Sequence, residues 1–297
     1  MEQVIYVSEH LKNTVRGQPV YLALKKILND RLKIIKNNKN EWCRDYMPVK
    51  ALDGTLVLFH YMPSYLLGSK TNEKTIPNQK LICNDLGIEF KDCSSIILDG
   101  GAIDIYKKKG MISDRVISEN CSAWGYDKPI VIEKIRTALK LFELIVVPAD
   151  PFDFTGHVDG MVRFINENTV LVNDNTGMDS KMKGNDVSPF DRKRYENWKR
   201  NFNETLSSAG LKMVKLPYAA DQNLDDVSAK GVYMNFLLLK DMVILPTFSN
   251  QSNLNTEAKR ILKKEFNRNV FSIEADMLSE WGGIINCVTW QNETSNF

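Results

Sequence analysis

The sequence predicts a mixed α/β fold with strands and helices interleaved from end to end. Short β-type runs recur along all 297 residues, helical apolar spacing appears between them, and no Pro/Ser/Gly-rich linker divides the chain. Strands are expected at VIYVSE, LKIIKN, TLVLFHY, SIILDGGAIDIY, ELIVVPAD, HVDGMVRFI, TVLVND, LKMVKLPYA, YMNFLLL, MVILPTF, VFSIEA and INCVTW, each rich in Val, Ile, Tyr, Phe or Thr. Between them, apolar residues spaced three or four apart predict helices over residues 20–29, 78–86, 129–141, 192–208 and 256–266. The alternation recurs about five times, roughly 60 residues per unit, which suggests a structural repeat within one interwoven domain over residues 1–297.

HVDGMVRFINENTVLVND reads as a hairpin, two alternating runs joined by Asn166-Glu167-Asn168. On a strand, His157, Asp159 and Met161 share one face, so imidazole and carboxylate are aimed into the same space.

Composition excludes several classes. With 39 Lys+Arg against 37 Asp+Glu the net charge is +2, and the signs are interspersed, against a nucleic-acid surface. The start MEQVIYVSEHLKN lacks the pattern of a secretory signal, and the longest apolar run is broken by Lys240 and Asp241 before it could span a bilayer. A soluble, cytoplasmic protein is expected. Five cysteines without CxxC spacing suggest neither a disulfide framework nor a zinc site.

Polar residues interrupt otherwise apolar segments at NEWCRDYMPV, ILDGGAIDI, TGHVDGMVRF and WGGIINCVTW. Singly, His157 reads as a satisfied core histidine, Cys287 as a small buried apolar residue, Asp45 as a partner of Arg44, and Asp99 as a turn former. Together, a cysteine following Gly282-Gly283, one histidine and two or three carboxylates can perform nucleophilic catalysis on a cationic carbon.

In the same order, WCRDYMP, LDGG, GHVDGMVRF, YMNF and GGIINCVTWQ resemble the motifs of the agmatine deiminase and bacterial peptidylarginine deiminase group of guanidine-modifying enzymes. The resemblance runs from Trp42 to Gln291. It implies an α/β pentein fold (an α/β-propeller), five ββαβ-like modules with pseudo-fivefold symmetry and a central active site. It also implies that Cys287 is the nucleophile, that His157 is the general acid and base, and that Asp45 and Asp159 hold the guanidinium. No metal or organic cofactor is implied.

The chemistry fits those roles. Carboxylates can bind a planar guanidinium by charge-assisted hydrogen bonds, leaving its central carbon to face a thiolate. Attack by Cys287 and protonation of the departing ammonia by His157 give a thiouronium, which water hydrolyses to a ureido product. A free thiol near pKa ~8.5 needs stabilisation as thiolate, from His157 or from the bound cation.

Asp99 is expected to orient a neighbour or contact substrate, and Trp42, Trp124 and Trp281 to pack in the core or stack on a cation. Gly282 and Gly283 allow close backbone approach, whereas Arg163 and Asn235 read as scaffold. The favoured substrate is agmatine, giving N-carbamoylputrescine and ammonia. Peptidyl-arginine or free-arginine deimination, amidino transfer, and an inactive guanidinium- or protein-binding pentein are the alternatives. The expected partner is a small guanidinium compound, with neither nucleic acid nor membrane and with homo-oligomerisation possible.

Several positions depart from the group's pattern: Asn286 replaces His, Met47 replaces Gly, Asp99 replaces Glu, and Trp281 precedes only two glycines. Asp225 and Asp226 are offered for a distal amine because they occupy a polar loop. The reading requires Cys287, His157, Asp159 and Asp45 to converge on one pocket.

Overall fold

The structure, a computed structural model, describes residues 3–219 and 227–293; Asp225 and Asp226 lie outside the described residues. Among the described residues, fifteen strands form five three-stranded sheets of one design. The first sheet joins β1 (Gln3–Ser8) and β2 (Leu32–Ile35) to the last strand, β15 (Trp290–Glu293). The second contains β3 (Val49–Lys50), β4 (Leu56–His60) and β5 (Lys91–Ile97), and the third β6 (Ile103–Tyr106), β7 (Lys109–Ser113) and β8 (Glu143–Val147). The fourth contains β9 (Val162–Asn166), β10 (Thr169–Asn173) and β11 (Lys212–Leu216), and the fifth β12 (Leu237–Leu238), β13 (Met242–Thr247) and β14 (Asn269–Glu274).

In every sheet the central strand pairs antiparallel on one side and parallel on the other. A parallel neighbour cannot be reached by a tight turn, so each unit spends a helix on the crossover. Gln18–Leu28, Gln79–Asp85, Lys128–Ala138, Pro189–Ser208 and Ser252–Phe266 fill these places, matching the five helices expected from periodicity. The central strands read as continuous apolar runs because both faces are covered: Val243, Ile244 and Leu245 of β13 are all buried. One core cluster joins Ile5, Val7 and Leu24 to Leu245, Leu262 and Val288, tying the first sheet to the fifth.

An additional helix, Asp114–Trp124, lies in the third crossover. Its inner face uses Asn120 as well as Val116 and Ile117, so the apolar stripe is incomplete. The Asn120 amide is nevertheless satisfied: Nδ2 donates to Ile97 O at 2.7 Å and Oδ1 accepts from Ile97 N at 2.9 Å.

Four expected strands are shorter than the sequence suggests. SIILDGGAIDIY divides into β5 and β6 around the turn Gly100–Ala102, and YMNFLLL is a strand only at Leu237–Leu238. The strand at INCVTW starts at Trp290, leaving Cys287 in a turn. The hairpin of β9 and β10 is present, but β9 begins at Val162. His157 instead caps a 3-10 turn, Val158–Gly160, so the shared strand face expected for His157, Asp159 and Met161 does not exist. Gly156 adopts φ +62° just before it, and Asn173 Nδ2 pins the turn through Gly160 O at 2.8 Å.

Candidate active site

These shortened strands have a common origin, because the site is built from the segments that connect one sheet to the next. Asp45 lies on residues 36–48, between β2 and β3, within the short helix Cys43–Tyr46. Asp99 and Gly101 lie between β5 and β6, His157 and Asp159 between β8 and β9, Asn235 between β11 and β12, and Cys287 between β14 and β15. Five connections, one per sheet, each contribute at least one polar side chain or backbone group.

Cys287, His157, Asp159 and Asp45 all line one cavity of about 540 Å³, together with Trp42, Tyr65 and Asn235. Cys287, His157, Asp45 and Asp159 are each under a tenth exposed. Asp159 Oδ2 is 3.9 Å from Cys287 Sγ and accepts from Asn286 Nδ2 at 2.7 Å. Asp45 Oδ1 accepts from Gly101 N at 2.9 Å and stands 3.6 Å from His157 Nδ1. Across the ring, His157 Nε2 is 3.2 Å from Asp99 Oδ2, which also accepts from the Tyr65 hydroxyl at 3.3 Å. Asp99 therefore stands behind the imidazole and does not line the cavity.

Asn235, read from sequence as scaffold, touches the thiol. Its Nδ2 donates to Cys287 Sγ at 3.1 Å, while its Oδ1 accepts from Asn286 N at 3.1 Å and Cys287 N at 3.3 Å. Its position in YMNF offered only a motif match, without a signal for this contact. Arg163 does act on the frame: it donates to Phe236 O at 2.7 Å, pairs with Asp104 at 3.5 Å, and holds the segment next to Asn235. Gly101 is a second omission, and a Cβ there would meet His157 Nδ1 at 2.6 Å.

Trp42 and Trp281 line the cavity, and Arg16 lies over the Trp281 ring at 3.8 Å. Trp124 lies elsewhere, half-exposed beside His60. Gly283 packs directly under the Trp42 ring, and Gly282, at φ +85°, packs against Phe154, so both glycines admit aromatic walls. Among the described residues no group of three or more His, Cys, Asp or Glu is placed to hold a metal ion, and no helix is long and apolar enough to cross a membrane.

Burial and charge set the protonation states. Burial, followed by Asp159 and Asp45, pushes the Cys287 thiol well above its ordinary value, with the Asn235 hydrogen bond acting in the opposite direction. Burial alone would lower the His157 pKa, but Asp45, Asp99 and Asp159 outweigh it and hold the ring up at about 10. Burial also raises Asp45 to about 7, against the pull of His157. These shifts favour a neutral thiol beside a protonated imidazole ring.

A sequence model of the Porphyromonas-type peptidyl-arginine deiminase family matches residues 3–292. The chain belongs to that family. A search of curated proteins finds no match. Among solved structures, agmatine deiminase of C. jejuni aligns with TM-score 0.70 at 16% identity, over 99% of this chain and 94% of that one. Agmatine deiminase of Enterococcus faecalis aligns with TM-score 0.70 at 16% identity, over 97% of this chain and 92% of that one. These likenesses carry the fold: a pentein of five three-stranded units, as the motif resemblance implied.

Proposed function

We propose that this deiminase family member is a cysteine hydrolase that converts a terminal guanidinium to a ureido group within a single catalytic domain. The observation that carries the reading is the convergence of the Cys287 thiol, the His157 imidazole, and the Asp45 and Asp159 carboxylates on one cavity. Burial does most to keep the thiol protonated, and a guanidinium entering between Asp45 and Asp159 neutralises the two carboxylate charges that add to it, so cation binding shifts the thiol towards thiolate. The same neutralisation removes part of what holds His157 near 10 and makes its Nδ1 proton easier to give up.

As the cation binds, the thiol proton passes to solvent, where it later converts the released ammonia to ammonium, and Sγ bonds to the guanidinium carbon. His157, anchored through Nε2 on Asp99, passes the proton on Nδ1 to the departing nitrogen, and the C–N bond breaks to release ammonia. The neutral ring then takes a proton from water as the water adds to the thiouronium carbon. The C–S bond breaks as the adduct's hydroxyl proton passes to sulfur, so the ureido product leaves with the thiol restored. Guanidinium and water are consumed, and urea derivative and ammonium are formed.

Agmatine is the favoured substrate. Asp150 and Asp153 both line the cavity, and Asp153 uses Oδ1 for Thr155 N and Oγ1, both at 2.8 Å. Among the described residues no hydrogen bond is seen on its Oδ2, which can then accept from a distal ammonium. The cavity of about 540 Å³ gives the second reading, an arginine residue at a peptide end, because it exceeds the space that a nine-heavy-atom amine fills. Purified protein incubated with agmatine, arginine and an arginyl peptide should release ammonia and ureido product in equal amounts from at least one of them. Release from none would overturn the reading. Ammonia from arginyl peptide but not agmatine would select the second.

A further inference from the structure

We propose that Asn286 is a positioning residue that fixes Asp159 for guanidinium binding, an inference that rests on the deiminase reading above. The Asn286 amide donates from Nδ2 to Asp159 Oδ2 at 2.7 Å, with both residues buried. Apart from the long contact from Cys287 Sγ at 3.9 Å, this is the hydrogen bond seen on the Asp159 carboxylate among the described residues.

The donor is itself held firmly. Asn286 N donates to Asn235 O at 3.1 Å and to Asn235 Oδ1 at 3.1 Å, while Asn286 O accepts from Arg44 Nε at 3.3 Å. Asn235 also touches Cys287 Sγ. The nucleophile and the carboxylate that faces it are therefore registered against one another through two consecutive residues of one turn, Asn286 and Cys287.

An amide suits this task for a physical reason. It donates to Asp159 without adding a charge, so the carboxylate is oriented while its negative charge remains for the substrate cation. It also keeps its protons at every working pH, unlike the histidine of the family pattern at this position. A cationic donor would compete with the guanidinium, whereas Asn286 does not.

Asn286→Asp and Asn286→Ala separate this role from simple packing. Asp conserves the volume but loses the donor and places a like charge against Asp159; Ala loses the donor and leaves a small gap. Agmatine affinity is measured by calorimetry in a Cys287→Ser background, and KM and kcat are measured with Cys287 intact. Asn286→Ala should weaken binding about 10- to 100-fold, as for a lost hydrogen bond to a charged group, with KM rising more than kcat falls. Asn286→Asp should weaken it further. If packing were the role, Asn286→Asp would remain close to the parent protein and Asn286→Ala would be worse, and that order overturns the proposal. Parent protein with neither turnover nor affinity for agmatine, arginine or arginyl peptide would instead overturn the deiminase reading, and this inference with it.

Discussion

The backbone N–H of Gly101 donates to Oδ1 of Asp45 at 2.9 Å, and the place where a Cβ would stand on Gly101 is 2.7 Å from that same oxygen. It is also 2.6 Å from His157 Nδ1 and 3.3 Å from Asp159 Oδ2. A methyl group there occupies the space shared by three polar atoms of the site. Gly101→Ala should therefore cut kcat/KM by at least ~100-fold while costing about 1–3 kcal/mol of stability, the ordinary range for overpacking. Steady-state kinetics with circular dichroism melting would check both, and a folded variant with parental activity would contradict the placement.

Asn235 should control the thiol. It donates to Sγ and holds two backbone N–H groups, so Asn235→Ala removes a thiolate-stabilising contact and frees the turn that carries Cys287. Turnover should fall by about 100-fold or more, and the thiol should become still harder to ionise. Iodoacetamide inactivation of the free parent protein should climb steadily across the alkaline range without reaching a plateau near the ordinary thiol value, because Cys287 is raised well above it. Asn235→Ala should react more slowly at each pH; faster reaction would show that the amide is not acting on sulfur.

Stability should depend on pH through His157. Its folded pKa of about 10 lies above the unfolded value of ~6.5, so the folded state binds the extra proton. The stabilisation from His157 is complete below pH ~6.5 and is lost as pH rises through about 10. His157→Gln cannot lose what it lacks, and it leaves Asp45 and Asp99 without their cation. The gap in melting temperature between parent and variant should be widest at and just below pH ~6.5 and should narrow as pH rises towards 10. A gap that widened over that interval would mean that the ring is neutral in the folded protein.

The helices and most of the strands were legible in the sequence because their burial follows a simple period. Val243 to Leu245 and the apolar face of residues 256–266 show it directly. The turn of His157 and Asp159 was not legible, since i, i+2 polar residues followed by VRFI look the same whether the strand begins at His157 or at Val162. The side chains named for catalysis do reach one cavity, but what brings them together is the arrangement of five separate connections, and local periodicity contains no trace of it. For the same reason the amide of Asn235 and the missing side chain of Gly101 stayed hidden. Each matters only through residues more than fifty positions away in sequence, Cys287 for Asn235 and Asp45 for Gly101.

The preference between agmatine and arginine-type substrates should reside in the segment 150–155. Asp153 Oδ1 accepts from Thr155, no hydrogen bond is seen on Oδ2 among the described residues, and Asp150 lines the same cavity. Burial raises Asp150 to about 7, so at neutral pH Asp150 is only partly charged and Asp153 should supply most of the attraction. Asp153→Asn keeps the size and the contact to Thr155 while removing the charge. For agmatine, KM should rise about tenfold, whereas kcat should change little, because a contact to the distal ammonium is the same in the ground and transition states. For an alkylguanidine of the same length with an uncharged tail, KM should be the same in parent and variant. Equal effects on both compounds would show that Asp153 shapes the turn of His157 and Asp159 and does not read the substrate.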